Sequence, residues 1–237
     1  MITSDISYRC GEVALTGYLA DGSAGRKAPG VLVCHQGGGL TEHTRERARM
    51  LAELGYVALA IDMYGEVATS REQAMALLTG LTEDAPLLHA RIAAGLEVLK
   101  GQANVDTGRL AAIGYCFGGW TVLEIARTFA DFACVVAFHP GLSGLPETDA
   151  RPVQAKVLVC AGANDPLIAP EARTRLASLL TAAGADWQLN VYGGAGHSFT
   201  DRSVDAMNIP NFSYHAETDR RSWAAMRDLF DEAMGPV

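Results

Sequence analysis

The sequence predicts an α/β fold built on a mostly parallel, doubly wound sheet with helices on both faces. Short apolar runs rich in β-branched residues alternate along the chain with amphipathic helical patterns. The helical patterns between strands end at a glycine, where a C-terminal cap belongs. No repeat, low-complexity segment or linker interrupts this alternation. We therefore expect one domain that spans residues 1–237.

The predicted strands begin with an alternation of polar and apolar residues over 12–20, which indicates an antiparallel edge strand. Continuous apolar runs then predict buried parallel strands. These runs cover residues 30–36, 56–62, 109–115, 133–139 and 155–162. A last strand is predicted around Trp187, Leu189 and Val191.

Helical spacing of apolar residues predicts the elements between these strands. The three patterns are Ala48, Leu51 and Ala52 before Gly55; Leu88, Ile92, Leu96 and Leu99 before Gly101; and Leu176, Leu179, Leu180 and Ala183 before Gly184. A final helix from about Thr218 places Trp223, Met226, Phe230 and Met234 on one side, where they are expected to pack on the sheet. Ligands of such a sheet bind outside the carboxyl ends of its strands, so residues that carry chemistry are expected there.

Charge and cysteine content argue against several classes of protein. The 237 residues include 19 basic and 27 acidic side chains, a net charge of −8 without a basic cluster, which disfavours a nucleic-acid partner. No basic region followed by an apolar one begins the chain, and no apolar run approaches the roughly 18 residues of a membrane helix. The five scattered cysteines form no C-x-x-C pair and predict reduced thiols without a zinc site. We expect a cytoplasmic protein without a membrane partner.

The stretch RLAAIGYCFGGW, residues 109–120, places Cys116 between a predicted strand and a predicted helix. A sharp strand-to-helix turn of this kind is a nucleophile elbow, and glycines at 114, 118 and 119 provide the clearance that it needs. A helix N-terminus and a nearby imidazole favour the reactive thiolate. The alternative interpretation is a small buried cysteine, which is common at strand ends.

Two further candidates follow strands later in the chain. Asp165 lies in AGANDP and His197 lies in GGAGHSF, and the order nucleophile, acid, histidine is that of the α/β-hydrolases. Taken alone, Asp165 could begin a turn and His197 could be an ordinary loop histidine. Because all three occur at strand ends in this order, we predict a catalytic triad of Cys116, Asp165 and His197.

A nucleophile of this kind needs hydrogen-bond donors for an oxyanion. The backbone N–H of Phe117, next to Cys116, is one candidate, and that of Gly37 in the loop HQGGGL is the second. Tyr64, Trp120 and Phe199 are equally open to contact with substrate or to a place in the core. His35 and His139, which also end strands, are open to a pocket role or to a structural one.

The chain resembles the dienelactone hydrolase family of α/β-hydrolases, the carboxymethylenebutenolidase-like enzymes that use cysteine as nucleophile. The motifs that carry this resemblance are VLVCHQGGGL, GYVALAIDMYG, GYCFGG, AGANDP, GGAGHSF and DRRSWAAM. The resemblance implies Cys116, Asp165 and His197 as the triad and Phe117 and Gly37 as oxyanion donors. It also implies a small-molecule ester or lactone as substrate, with no metal and no organic cofactor.

The sequence departs from this family in the predicted substrate pocket. Gln36 stands where family members carry a glutamate that partners the resting thiol, so His197 is the other candidate partner of Cys116. Gly65 and Glu66 stand where one substrate-binding arginine is expected, and Arg202 lies one residue away from the position of the other. Dienelactone itself is therefore an open question as substrate.

Other functions and states remain open at this point. A thioesterase or an acylpeptidase-like hydrolase would share these residues, and a redox-sensing protein without acyl turnover would keep a reactive Cys116. Residues 200–216 are expected to form either a cover over the pocket or a disordered surface loop. A monomer is the default expectation, and a homodimer is possible.

Overall fold

Strands and helices alternate along the chain as the sequence predicts. A computed structural model describes residues 1–142 and 151–237. The described residues form two compact units, Met1–Ala112 with Val237, and Ile113–Pro236. The strands of the first unit are ordered 2–10, 13–21, 57–61, 28–34 and 105–115, and those of the second are ordered 105–115, 134–138, 156–162 and 187–192, since the strand 105–115 contributes residues to both. The prediction of a single domain stays a prediction.

The first unit contains the antiparallel strands and three of the helices. Its elements are β1 Ile2–Cys10, β2 Val13–Asp21, β3 Ala28–Cys34, α1 Glu42–Glu53, β4 Val57–Ile61, α2 Arg71–Thr82, α3 Ala85–Lys100 and β5 Val105–Tyr115, of which the last continues into the second unit. β3 and β4 pair in parallel, and every residue of both is buried, so both faces of the sheet are covered here.

The prediction that residues 12–20 form an edge strand is wrong in one respect. The strand is antiparallel, but β1 pairs with it from Ile2 to Cys10, and β2 therefore lies between β1 and β4. β1 was not predicted: Ile6, Tyr8 and Cys10 alternate with polar residues, but six of its nine residues are exposed and none is fully buried. Helix α2 was not predicted either, although Ala74, Leu77, Leu78 and Leu81 have helical spacing; Leu81 is its single buried residue.

The second unit contains the parallel strands and the remaining helices. After β5 come α4 Phe117–Thr128, β6 Cys134–Phe138, β7 Lys156–Gly162, α5 Pro170–Ala182, β8 Trp187–Tyr192, a 3₁₀ turn Arg202–Met207 and α6 Ala216–Met234. β7 pairs in parallel with β6 and with β8. Helix α4 packs on β6, and α6 packs on β6 and β7. The predicted fold class, a mostly parallel sheet with helices, is confirmed.

Two of the three glycines predicted as helix caps adopt the left-handed backbone that such caps use. Gly55 has φ +102° and Gly184 has φ +68°. Gly101 caps α3 with φ −72°, a conformation open to other residues.

No helix among the described residues is long and apolar enough to cross a membrane.

Parallel pairing brings the loops that follow β6, β7 and β8 to one edge of the second unit. His139 follows β6, Asp165 follows β7 and His197 follows β8. This edge is where the predicted chemistry was expected.

Candidate active site

Cys116 occupies a sharp turn between β5 and α4. Its φ of +55° is in the left-handed region, which a side chain other than glycine rarely adopts. The turn is held from both sides, because the Cys116 N–H donates to the Phe138 carbonyl at 3.1 Å and the Gly141 N–H donates to the Cys116 carbonyl at 3.2 Å. The side chain is partly exposed at the N-terminus of α4. The predicted elbow geometry is therefore present.

Gly114 makes this turn sterically possible. A Cβ at position 114 would lie 1.9 Å from the carbonyl oxygen of Gly118, far inside van der Waals contact. At position 119 a Cβ would lie 3.0 Å from the Phe138 carbonyl oxygen, so α4 approaches the end of β6 closely. The glycines quoted in the motif thus allow strand, elbow and helix to meet.

Asp165 and His197 form a direct hydrogen bond. His197 Nδ1 donates to Asp165 Oδ2 at 2.8 Å, and both side chains are buried. The other carboxylate oxygen of Asp165 accepts from the Leu167 N–H at 2.8 Å. One oxygen of Asp165 therefore stabilises a turn and the other holds the imidazole, and the catalytic role of Asp165 stays a prediction.

The charge state of His197 depends on Cys116 as well as Asp165. Burial lowers the pKa of His197, but the charge of Cys116 and the hydrogen bond to Asp165 together outweigh burial and raise this pKa to about 10. The second ring nitrogen, Nε2, is buried. A pKa of about 10 corresponds to a protonated imidazole at neutral pH, with Nδ1 donating to Asp165.

Two aromatic rings and the backbone of residues 211–213, here called the strap, surround His197. Its ring centroid lies 5.1 Å from that of His139 and 4.9 Å from that of Phe212. The His197 N–H donates to the Asn211 carbonyl at 2.7 Å, and the Ser213 N–H donates to the His197 carbonyl at 3.3 Å. The segment 211–213 therefore runs beside His197 as a short parallel bridge.

The strap was not predicted from the sequence. Gly196 is the residue that indicates a close approach, because a Cβ there would lie 2.1 Å from the Asn211 carbonyl oxygen. A sequence does not show which segment approaches a glycine. Residues 202–207 of the same loop form the 3₁₀ turn. The loop 200–216 is thus hydrogen-bonded along His197, and the expectation that it covers a pocket stays a prediction.

The other candidate residues of the second unit have varied surroundings. Phe117, the first residue of α4, is buried and stacks on Trp120 at 6.2 Å. Phe199 has no exposed surface and packs against His139 and Tyr192, which fits a place in the core. The guanidinium of Arg202 lies 4.6 Å over the ring of Tyr214 and donates to its hydroxyl at 3.2 Å.

Three candidates belong to the first unit. Gln36 Nε2 lies 3.3 Å from His43 Nδ1. Gly37 follows Gln36 in the loop after β3, and the nearest atom to a Cβ built there is 3.4 Å away. Tyr64 is buried, and its ring lies edge-on to His35 at 4.7 Å. Their predicted roles stay predictions.

The five cysteines are all free thiols. Burial raises the pKa of Cys160 and of Cys134 to about 12, and burial also raises the pKa of Cys34. Cys116 differs from these three because it is partly exposed and interacts electrostatically with His197. Among residues 1–142 and 151–237, no group of three or more His, Cys, Asp or Glu side chains is placed to hold a metal ion.

Comparison with known proteins gives one consistent family. The model of the "Dienelactone hydrolase family" matches residues 15–234. A putative carboxymethylenebutenolidase of Methylorubrum extorquens is 28% identical over 97% of this chain and 81% of its own length.

Solved structures give the same result at higher identity. The structure named m3DLH is 43% identical, covers 98% of both chains and superposes with a TM-score of 0.92. A dienelactone hydrolase-like promiscuous phosphotriesterase from metagenomic libraries is 38% identical, covers 99% of both chains and superposes with a TM-score of 0.91.

Proposed function

The chain belongs to the dienelactone hydrolase family and is a hydrolase of carboxylic esters or lactones, and we propose that Cys116, His197 and Asp165 perform this hydrolysis through a thioester. The observation that carries the proposal is geometric: Cys116 lies on a strained turn at the N-terminus of α4, and the His197 imidazole is held by Asp165 at 2.8 Å. The charge of Cys116 also raises the pKa of His197, which supports an interaction between sulfur and imidazole. A resting pair of thiolate and imidazolium is the reactive form of such a cysteine.

In the first half of the proposed reaction, the Cys116 thiolate attacks the carbonyl carbon and a tetrahedral oxyanion forms. The backbone N–H groups of Phe117 and Gly37 are the proposed donors to this oxyanion. As the bond between carbon and the leaving oxygen breaks, Nε2 of His197 gives its proton to the departing alkoxide. The products of this half are the alcohol and a thioester on Cys116.

In the second half, His197 acts as a base. The neutral imidazole takes a proton from water, and the resulting hydroxide attacks the thioester carbonyl. The carbon–sulfur bond then breaks, the acid leaves, and the thiolate and imidazolium are restored. Asp165 accepts the Nδ1–H throughout, which keeps Nε2 directed at the reacting atoms.

The substrates that we propose are small, uncharged esters and lactones. Arg202 is engaged by the ring and hydroxyl of Tyr214, and Asp201 beside it would repel a substrate carboxylate. By the family resemblance, Gln36 replaces a glutamate that partners the resting thiol, and an amide cannot take up or release a proton. His197 is therefore the proposed acid–base partner of Cys116. Neutral substrates are therefore expected to be cleaved in preference to anionic dienelactone.

The test is steady-state turnover of short p-nitrophenyl esters, simple lactones, dienelactone and acyl thioesters. Cys116→Ala and His197→Ala are each expected to lower kcat/KM by at least about a hundredfold. Cys160→Ala removes a buried thiol elsewhere in the second unit and is expected to retain turnover. Turnover that survives Cys116→Ala within tenfold of the wild type would refute the proposed nucleophile.

A second readout addresses the covalent intermediate. Mass spectrometry of wild-type protein quenched during turnover is expected to show an acyl adduct on the peptide containing Cys116. Adducts confined to other peptides would contradict the thioester. Reactivity of Cys116 without turnover of any ester, lactone or thioester would instead favour a redox-sensing protein.

Phosphotriesters are a second candidate substrate class. The metagenomic relative that is 38% identical is described as a promiscuous phosphotriesterase. A thiolate that attacks carbonyl carbon can also attack phosphorus, with the aryloxide as leaving group, and water then has to cleave the sulfur–phosphorus bond to release the diester and restore the thiolate. Release of p-nitrophenol from diethyl p-nitrophenyl phosphate, lost in Cys116→Ala, would establish this activity here.

A further inference from the structure

The turn formed by residues 138–141, of sequence FHPG, contacts both Cys116 and His197. Its first and last residues hold the backbone of Cys116, through the Phe138 carbonyl at 3.1 Å and the Gly141 N–H at 3.2 Å. Its second residue, His139, contacts the ring of His197. One short segment therefore touches the sulfur-bearing residue and the imidazole together.

The backbone of His139 is strained. Its φ of +38° is in the left-handed region, and the residue precedes Pro140, which further restricts its conformation. The side chain is completely buried, and the His139 N–H donates to the Cys160 carbonyl at 2.8 Å. Strain in a non-glycine residue persists where the surroundings enforce it, and such residues concentrate at functional sites.

The ring of His139 has three contacts with the loop 197–200, and it also lies 6.0 Å from the ring of Tyr115. It lies at 68° to the His197 ring with centroids 5.1 Å apart, and at 82° to the Phe199 ring with centroids 5.0 Å apart. Its Nε2 lies 2.9 Å from the hydroxyl oxygen of Thr200. All three partners belong to the segment 197–200, so the ring packs along the whole loop that carries His197.

We propose that His139 is a positioning residue, which sets the place and the charge state of the His197 imidazole relative to the elbow at Cys116. This inference rests on the proposed function. The strained turn fixes the sulfur through the backbone and the imidazole through the His139 ring, so it sets the distance over which the proton moves.

The expected size of the effect follows from the geometry. A displacement of about 1 Å at a reacting group costs about a hundredfold in rate, so a partial displacement of His197 is expected to cost at least about tenfold in kcat. An imidazolium displaced from Cys116 also stabilises the thiolate less, so the thiolate forms at a higher pH. The charges that act on His197 are those of Cys116 and Asp165, and the titratable ring that packs against it is that of His139 itself.

The experiment compares four substitutions in the full-length protein. His139→Ala removes the ring, whereas His139→Phe keeps a ring and removes the contact with Thr200. Thr200→Val removes the hydroxyl that contacts Nε2 of His139, whereas Thr200→Ser retains a hydroxyl at this position. Phe230→Leu, at a fully buried site on α6, is the control for a loss of stability by itself.

Two readouts separate positioning from simple packing. The first is the rate of Cys116 alkylation by iodoacetamide as a function of pH, which reports the thiolate without any substrate. The second is kcat and KM on a p-nitrophenyl ester. His139→Ala is expected to move the alkylation midpoint to higher pH and to lower kcat at least about tenfold, with KM within about twofold. Thr200→Val is expected to move the midpoint in the same direction, and Thr200→Ser to return it to the wild-type pH.

The proposal is overturned if His139→Ala and Thr200→Val both leave the alkylation midpoint and kcat unchanged. It is also overturned if Phe230→Leu produces the same changes at an equal loss of Tm, because His139 would then only fill the core. If His139→Ala does not fold, Thr200→Val alone decides. Activity that persists in Cys116→Ala would refute the proposed function, whereas activity lost there but unaffected by His139 or Thr200 changes would refute this inference alone.

Discussion

Substitution of Gly114 by alanine tests the elbow without touching a reactive atom. The added methyl group would lie 1.9 Å from the Gly118 carbonyl oxygen and 2.2 Å from its carbonyl carbon. Both are backbone atoms, so no side-chain rotation can relieve the clash. Either the end of β5 or the start of α4 has to move, and Cys116 lies between them.

The size of this movement sets the expected loss. Real Cβ contacts are essentially never shorter than 3.0 Å, so the backbone around Cys116 has to shift by about 1 Å. A misplacement of that size costs about a hundredfold in kcat/KM, which corresponds to about 2.7 kcal/mol of transition-state stabilisation. Overpacking is expected to cost a further 1–3 kcal/mol, roughly, in the free energy of unfolding.

The assay measures kcat/KM on a p-nitrophenyl ester, with circular dichroism to establish folding and a thermal melt to measure stability. Gly80→Ala is the matched control, because a Cβ there meets no atom within 4 Å and α2 is a regular helix. We expect the control to retain activity and to gain up to about 1 kcal/mol in stability. A Gly114→Ala protein with wild-type kcat/KM and Tm would refute the steric account of the elbow.

Three further predictions concern the imidazole, the thiols and the strap. Because the pKa of His197 is raised to about 10, its proton is present at neutral pH and is lost as the pH rises through that value. Hydrolysis of an alkyl ester, measured in a pH-stat, is therefore expected to decrease with a midpoint near pH 10. In Asp165→Asn, which weakens the hydrogen bond to Nδ1, this decrease is expected at a lower pH. Iodoacetamide at pH 7 is expected to modify Cys116 before the buried strand thiols, and peptide mass spectrometry showing the reverse order would contradict the proposed ion pair. The buried thiols are Cys34, Cys134 and Cys160. Gly196→Ala would place a Cβ 2.1 Å from the Asn211 carbonyl oxygen and displace the strap from His197. We expect faster proteolysis within residues 200–216 and a kcat that is at least about tenfold lower. An unchanged cleavage pattern would contradict this prediction.

The buried elements could be predicted from the sequence because their signals are local. β3 and β4 are apolar at nearly every position, and burial of a strand on both faces produces that pattern directly. β1 is mostly exposed and α2 fully buries only Leu81, so their short apolar patterns are weaker signals than continuous apolar runs. Because β1 was missed, β2 was predicted at the edge of the sheet.

The elbow could be predicted because chain neighbours create it. Cys116 and its glycines are close in sequence, and their steric requirement is visible in the letters GYCFGG. The order of Cys116, Asp165 and His197 at strand ends indicated that they meet, because parallel strands bring their carboxyl ends to one edge. The hydrogen bond from His197 to Asp165 fits that expectation.

The buried strands, the helices with apolar faces and the tight turn at Cys116 could thus be predicted from local patterns. The surroundings of the imidazole depend instead on tertiary packing. The ring of His139, the ring of Phe212 and the backbone of Asn211 come to His197 from separate segments. Such contacts depend on how strands and loops pack across long stretches of chain, and no local periodicity encodes which distant segment meets a given side chain.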